Sequence, residues 1–421
     1  MLIASNLWGL VLLGFPAIAH AAASCLVLSS VSSFSSPKLP NPFHFANGSR
    51  VTTTEHWRCR REEIKTLLQQ YELGSLPPNP RSLTASMPNL NTIRVEISYS
   101  GRSIALNANV IYPSGAGPFP AIIAIGNLSI PQPSGVAIIQ FDPEEMAKPD
   151  ARGQGKIYTL YGTSITAGAL LAWAWSASRI VDALEVIPLS ASFIHPKKIG
   201  ITGCAGHGRA ALIAGGFDER FKLTIPQDSG TGATACWRIT DEIKRNGSTR
   251  VETASDFMSG REAPLLSQAF THYANNLNQL PYDNHMLMGL HSPRGLFVTE
   301  NSGHPRHAPL SAYGCAVVAR SMFQVQGSTS SFAFSQISHR GAQCSFQSSN
   351  QQYLDSFIAR FLKGSERDNS VIFSTDQHVE DFDVKRWVDW RPPTHLEDLT
   401  TTRTLTLTAP APTSPPGIFG F

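Results

Sequence analysis

The sequence predicts an α/β protein, a mostly parallel sheet covered by helices on both faces. Three observations carry this. Apolar runs of strand length recur along the chain, for example Pro120–Gly126 and Val136–Phe141. They alternate with helical stretches. One of them, Lys198–Gly203, passes into a helix through a tight turn bounded by glycines, Gly203-Cys204-Ala205-Gly206-His207-Gly208-Arg209. Strands that read as continuous apolar runs are buried on both faces, which is the condition of a parallel sheet flanked by helices.

Taken in order, Leu7 to Ala19 is an apolar run of about a dozen residues ending in small residues, Ala21-Ala22-Ala23. It reads as a secretory signal over 1–23, and is shorter than the ~20 residues a membrane-spanning helix needs. Residues 24–60 read as an irregular arm whose cysteines, Cys25 and Cys59, staple it to itself. Ile64, Leu67, Leu68 and Tyr71 recur at helical spacing, so a helix is expected over Arg61–Tyr71. Thr92–Tyr112 alternates in the manner of antiparallel strands. The apolar strands follow, with a long helix over Ala167–Leu184, the strand at Lys198–Gly203, a helix over Arg209–Gly215, strands at Leu223–Pro226 and Gly295–Thr299, and an amphipathic helix over Tyr353–Leu362. The tail at 400–421 is rich in Thr and Pro and reads as disordered. One domain over 24–399 is therefore expected.

Charged residues make up 15% of the 421, against roughly 25% in ordinary domains. The net charge of +3 is spread without basic blocks, which argues against a nucleic-acid binder. Six cysteines in a chain with a secretory signal suggest three disulfides, with fifteen pairings open. No cysteine or histidine group has zinc spacing, and no metal or cofactor is expected. Asn47, Asn127 and Asn246 each begin a glycosylation sequon. A secreted, extracellular monomer is the expectation.

In an open α/β sheet, ligands bind beyond the carboxyl ends of the strands. The turn at 203–209 has the setting of a nucleophile elbow, which projects one side chain into the mouth of a site. Here that side chain is Ala205, which has no attacking atom.

Beyond this turn, the chain resembles the fungal glucuronoyl esterases, carbohydrate esterase family 15. The resemblance is carried by Gln69–Gly74, Tyr112–Gly115, Arg152–Lys156, Ala167–Leu170, Ala172–Trp175, Thr202–Cys204, Ile225–Gly230, Cys236–Arg238 and Pro293–Val298. It implies an α/β-hydrolase fold, a three-layer sandwich with a nucleophile-elbow turn. It implies the disulfides Cys25–Cys59, Cys204–Cys344 and Cys236–Cys315. It also implies hydrolysis, without a metal, of the ester between 4-O-methyl-glucuronic acid on xylan and an alcohol of lignin, by a serine, a histidine and a glutamate.

Carried over by position, those parts are altered. Ala205 stands for the serine. Gly206 stands for an arginine that helps hold the oxyanion. Asp228 stands for the glutamate, one methylene shorter. Gln343, before Cys344, stands for the histidine. Among sugar-binding positions, Arg209 replaces lysine, Glu252 replaces glutamine, Glu262 matches a glutamate approximately, and Arg306 falls at a tryptophan. Alanine cannot attack a carbonyl, and glutamine cannot act as a base near neutral pH. In a comparable serine hydrolase, loss of the nucleophile alone costs ~10⁶ in turnover. His207 and His339 read as ordinary polar loop residues, and a glutamate at 252 repels a carboxylate ligand unless Arg209 or Arg306 compensates.

Three functions stay open at this point. One is a silent family member that still binds glucuronoxylan or lignin–carbohydrate fragments. Another is an active carboxylic ester hydrolase with a relocated site. The third is a secreted protein that serves a partner with its surface. No nucleic acid and, after removal of the signal, no membrane is expected as a partner.

Overall fold

The structure is a computed structural model that describes residues 25, 34–339, 342–365, 370–378 and 382–398. The predicted signal at 1–23 and tail at 400–421 lie outside the described residues. Among the described residues, no helix is long and apolar enough to cross a membrane.

The centre is a ten-stranded sheet: β1 Ser82–Asn89, β2 Thr92–Tyr99, β3 Arg102–Ile111, β4 Phe119–Ile125, β5 Ala137–Phe141, β6 Ile194–Cys204, β7 Phe221–Gln227, β8 Gly295–Glu300, β9 Phe332–Gln336 and β10 Phe373–Thr375. Its spatial order is β1-β2-β3-β5-β4-β6-β7-β8-β9-β10. β1, β2, β3 and β5 pair antiparallel in that order, and every pair from β5 through β10 is parallel. The parallel strands are buried on both faces, as in Ile122, Ile123, Ile138, Ile139 and Ile201, none of which is exposed.

Six longer helices matter here: α1 Thr54–Leu68, α2 Ala169–Val186, α3 Gly206–Phe217, α4 Trp237–Arg245, α5 Pro309–Val325 and α6 Gln351–Ile358. The sheet divides the core beneath them into two large clusters, with neighbouring strand residues such as Ile122 and Ile123 on opposite sides. One holds Trp173, Ile180, Leu212, Phe221 and Phe323, and the other Ile122, Ile138, Phe297, Phe357 and Leu362.

Two expectations are corrected. The arm ends earlier than the sequence suggested, because Thr53 caps α1 by accepting from the His56 amide, so residues 54–60 are helical. Cys25 is thereby bonded to a helix rather than to its own arm. The second is the helix after the turn, which starts at Gly206, so His207 is helical rather than in a loop.

The other bridges are Cys204–Cys344 and Cys236–Cys315, the pairs the resemblance implies. Asn47, Asn127 and Asn246 are all exposed.

A π turn, Gln69–Leu73, follows α1 and carries Glu72 into the interior. Its carboxyl accepts from Trp237 Nε1 at 3.2 Å and Tyr282 Oη at 2.7 Å. Burial pushes its pKa from 4.5 up to about 8; the nearby Asp283 adds to this, and the two hydrogen bonds oppose it. The folded protein therefore keeps a proton that the unfolded chain has released above pH 4.5. That contribution to stability is full below pH 4.5 and is lost as pH rises towards 8. Glu72→Gln mimics the protonated acid, so its Tm is expected to fall less than the wild type's between pH 5 and 8. Parallel Tm–pH curves for the two proteins would contradict this.

Candidate functional site

β6 ends at Cys204, and the chain turns at once into α3. Gly203 and Gly208 make this turn possible. A Cβ at Gly203 would lie 2.4 Å from the His207 carbonyl oxygen, and one at Gly208 2.4 Å from Ser229 Oγ and 2.7 Å from the Gln227 oxygen. Between them Ala205 has φ 53° and ψ −122°, a conformation that a side-chain-bearing residue rarely adopts. Its amide donates to the Gln227 carbonyl at 2.9 Å. The elbow is thus built in full around a methyl group.

Asp228 follows β7, also at positive φ, 43°. Its Oδ2 accepts from the Cys344 amide at 2.7 Å, and its side chain is buried. Burial raises its pKa, against the hydrogen bond from Cys344 and the nearby imidazoles of His339 and His304. The Cys204–Cys344 bridge lies against this carboxylate, with both sulfurs and the carboxylate oxygen within 4.8 Å of one another. That cluster has the spacing of a metal site, but sulfurs joined in a disulfide are not thiolate ligands. The same holds for Cys25, Glu55 and Cys59.

Glu300, the last residue of β8, braces the turn that carries Asp228. Its Oε1 accepts from the amides of Ser229 at 3.1 Å and Gly230 at 3.2 Å, and from the Thr234 hydroxyl. Burial, then the charge of Asp228, push its pKa up to about 7. The sequence reading missed this residue. Its signal was a carboxylate closing an otherwise apolar strand.

The structure brings Ala205, Asp228 and Gln343 to the carboxyl ends of β6 and β7, but among the described residues Gln343 forms no hydrogen bond with the acid. Its Nε2 lies 3.4 Å from Nε2 of His307. His307 was also missed. It is buried, beside Arg209, Arg306 and His304, and desolvation followed by those charges pushes its pKa down to about 2. It is a neutral imidazole.

The four sugar-binding candidates form two ion pairs. Arg209 Nη1 meets Glu262 Oε2 at 3.0 Å, while its Nε donates to the Ser229 carbonyl and its guanidinium lies over the Phe257 ring. Arg306 meets Glu252, so Arg306 is the cation that compensates position 252. Arg209 is 3% exposed and Arg306 has a half-exposed side chain. Each pair joins a buried partner to an exposed one: Arg209 and Glu252 are buried, Glu262 and Arg306 are open to a ligand.

His207 lies edge-on to Trp173, with ring centroids 5.3 Å apart. Burial lowers its pKa, while Glu144 and Asp142 raise it. It forms one side of a cavity of about 610 Å³ beside the ends of β4 and β5. Asn107, Asn109, Asn127 and Gln140 line it, and their amides match sugar hydroxyls in hydrogen-bonding capacity.

Residues 95–327 match the family model described as "Glucuronyl esterase, fungi". The 4-O-methyl-glucuronoyl methylesterase of Hypocrea jecorina is 41% identical over 377 residues, 88% of this chain and 79% of that protein. The crystal structure of glucuronoyl esterase from Sporotrichum thermophile superposes with a TM-score of 0.83 at 41% identity, covering 88% of this chain and 100% of that one. A serine-to-alanine mutant of that esterase, in complex with methyl 4-O-methyl-β-D-glucopyranuronate, gives 0.82 at 40% identity, covering 88% and 99%. With its α/β-hydrolase sheet, its complete elbow and these likenesses, the chain belongs to the fungal glucuronoyl esterase family.

Proposed function

We propose that this protein is a secreted, glycosylated family member that binds 4-O-methyl-glucuronoyl esters of xylan and does not turn them over by serine chemistry. One observation carries the reading. At the elbow, held at φ 53°, stands an alanine. Nucleophilic catalysis needs an oxygen there to attack the ester carbonyl, and the base needs its proton to take. Gln343 supplies no titratable nitrogen, and Gly206 supplies no guanidinium to an oxyanion. Binding does not depend on these parts. The relative that carries alanine for serine holds the methyl ester of 4-O-methyl-glucuronic acid. In this chain, the exposed members of the two ion pairs, Glu262 beside buried Arg209 and Arg306 beside buried Glu252, offer charged hydrogen-bonding groups to sugar hydroxyls and, through Arg306, to a uronate.

The test pairs two measurements on the wild type. Calorimetric titration with methyl 4-O-methyl-glucuronate is expected to saturate. Turnover of a benzyl glucuronate ester is expected to stay at background. A rate well above background that Asp228→Asn abolishes would overturn the reading. So would the absence of any binding heat, which would leave the cleft without a ligand of this class.

A further inference from the structure

We propose that His339, and not position 343, holds the post of the base beside Asp228, so that Ala205 is what separates this chain from a working acid–base–nucleophile set. The proposal rests on the reading of the cleft as a disarmed esterase site.

His339 Nδ1 lies 4.0 Å from Asp228 Oδ2, and both side chains are almost wholly buried, 5% and 2% exposed. That distance exceeds a hydrogen bond by about an ångström. Yet Nδ1 is buried with no hydrogen-bond partner among the described residues. A buried donor left without an acceptor is destabilising, and the facing carboxylate is the acceptor that would satisfy it. Catalytic hydrogen bonds are often long in unliganded enzymes and tighten with ligand.

The backbone holds the two groups in common. The His339 amide donates to Asn301 Oδ1 at 3.0 Å, and the neighbouring Ser338 amide donates to Asp376. Asn301 follows Glu300, whose carboxylate braces the turn after Asp228. One strand end therefore sets both the acid and the imidazole. His339 lies in a loop, as the sequence reading has it, and its place beside Asp228 gives that loop residue a role.

His304 and His307 also carry a buried Nδ1 without a partner among the described residues, but of the three only His339 lies within 4.0 Å of Asp228. His307 faces Arg209, Arg306, His304 and Gln343, surroundings that keep it unprotonated. His304 lies tilted against His307, with centroids 4.1 Å apart, and forms no ion pair with Asp228 within 4.0 Å among the described residues. Glu300 faces Asp228 from behind and is itself fully hydrogen-bonded at Oε1.

In an Ala205→Ser variant, the serine oxygen would bond to the ester carbonyl carbon as its proton passes to His339 Nε2. His339 would return that proton to the departing alcohol oxygen as the C–O bond breaks. Water would then release the uronate by the same exchange, which restores the serine.

Two experiments test the pairing. In the wild type, an imidazole N–H proton resonance shifted downfield by a carboxylate is expected, and it should vanish in both His339→Gln and Asp228→Asn. No such resonance, or one that survives His339→Gln, overturns the proposal, whatever the cleft binds. The second uses a fluorophosphonate that labels activated serines. Ala205→Ser is expected to be labelled at residue 205, and adding His339→Gln should slow labelling at least ~100-fold, the loss expected for a general base. Folded Ala205→Ser that is not labelled, labelling indifferent to His339→Gln, or labelling that appears only after Gln343→His is added, each overturns it.

Discussion

Replacing Cys204 and Cys344 together by alanine is expected to lower the free energy of unfolding by about 5 kcal/mol, read from the shift in the urea midpoint. The bridge closes a separation of 140 residues, the longest of the three; the others close 79 and 34. Closure entropy grows only with the logarithm of loop length, so length alone ranks the three weakly. Position makes the stronger case. Cys204 is the last residue of β6, next to Ala205 in its strained turn. Cys344 sits at φ 64° and gives its amide to Asp228. Without the bridge, the segment carrying Gln343 loses its covalent tie to the elbow, and the acid can lose its hydrogen bond. Ligand affinity should therefore fall along with stability, while Cys25→Ala/Cys59→Ala should leave affinity alone. A midpoint shift worth less than about 1 kcal/mol would show that the unfolded chain is already restrained there by other means.

The parallel half of the sheet was legible because its strands are buried on both faces. Runs such as Ala121–Ile125 have no solvent side to interrupt them with polar residues. The antiparallel entry was legible for the opposite reason. β2 alternates between buried Ile93, Val95, Ile97 and partly or fully exposed Arg94 and Glu96. β9 and α5 were not read. β9 is only five residues long, and α5 is a small-residue helix in which Ala312, Ala316 and Ala319 mark the buried face without a strong apolar contrast.

At the site, the elbow could be read because consecutive residues make it. The acid could be placed by counting on from Ala205. Histidines 304, 307 and 339 could not be placed, because loops after β8 and β9 fold them back over the sheet edge, and no local pattern records that. The pairings of Arg209 with Glu262 and Arg306 with Glu252 join segments more than fifty residues apart in the same way.

Removing one carboxylate behind the cleft is expected to have an effect of similar size to removing the bridge. Asp283 is wholly buried. Its Oδ1 accepts from the amides of Trp237 and Asn284, both at 2.8 Å, and its Oδ2 from the Arg238 amide and guanidinium at 3.2 and 3.1 Å. Asp283→Ala leaves the first amides of α4 without their acceptor and strands the Arg238 cation in the interior. Breaking one side of a buried pair in this way costs about 3–5 kcal/mol. Arg238 keeps the carbonyls of Tyr282, Leu280 and Ser36, which places the expected loss towards the lower end. Asp283→Ala/Arg238→Met should recover part of it, since no charge is then left unpaired. The effect reaches the cleft through packing. Trp237 lies edge-on to Phe257, and Phe257 is the ring beneath the Arg209 guanidinium. A loosened Trp237 therefore loosens the buried Arg209 that holds Glu262, so the variant should bind methyl 4-O-methyl-glucuronate more weakly even where it remains folded. Asp283 also helps keep the neighbouring Glu72 protonated. With that charge gone, Glu72 should release its proton at lower pH, and the decline of stability towards pH 8 should become shallower. A variant with wild-type urea midpoint and an unchanged pH profile would mean that Asp283 carries neither load.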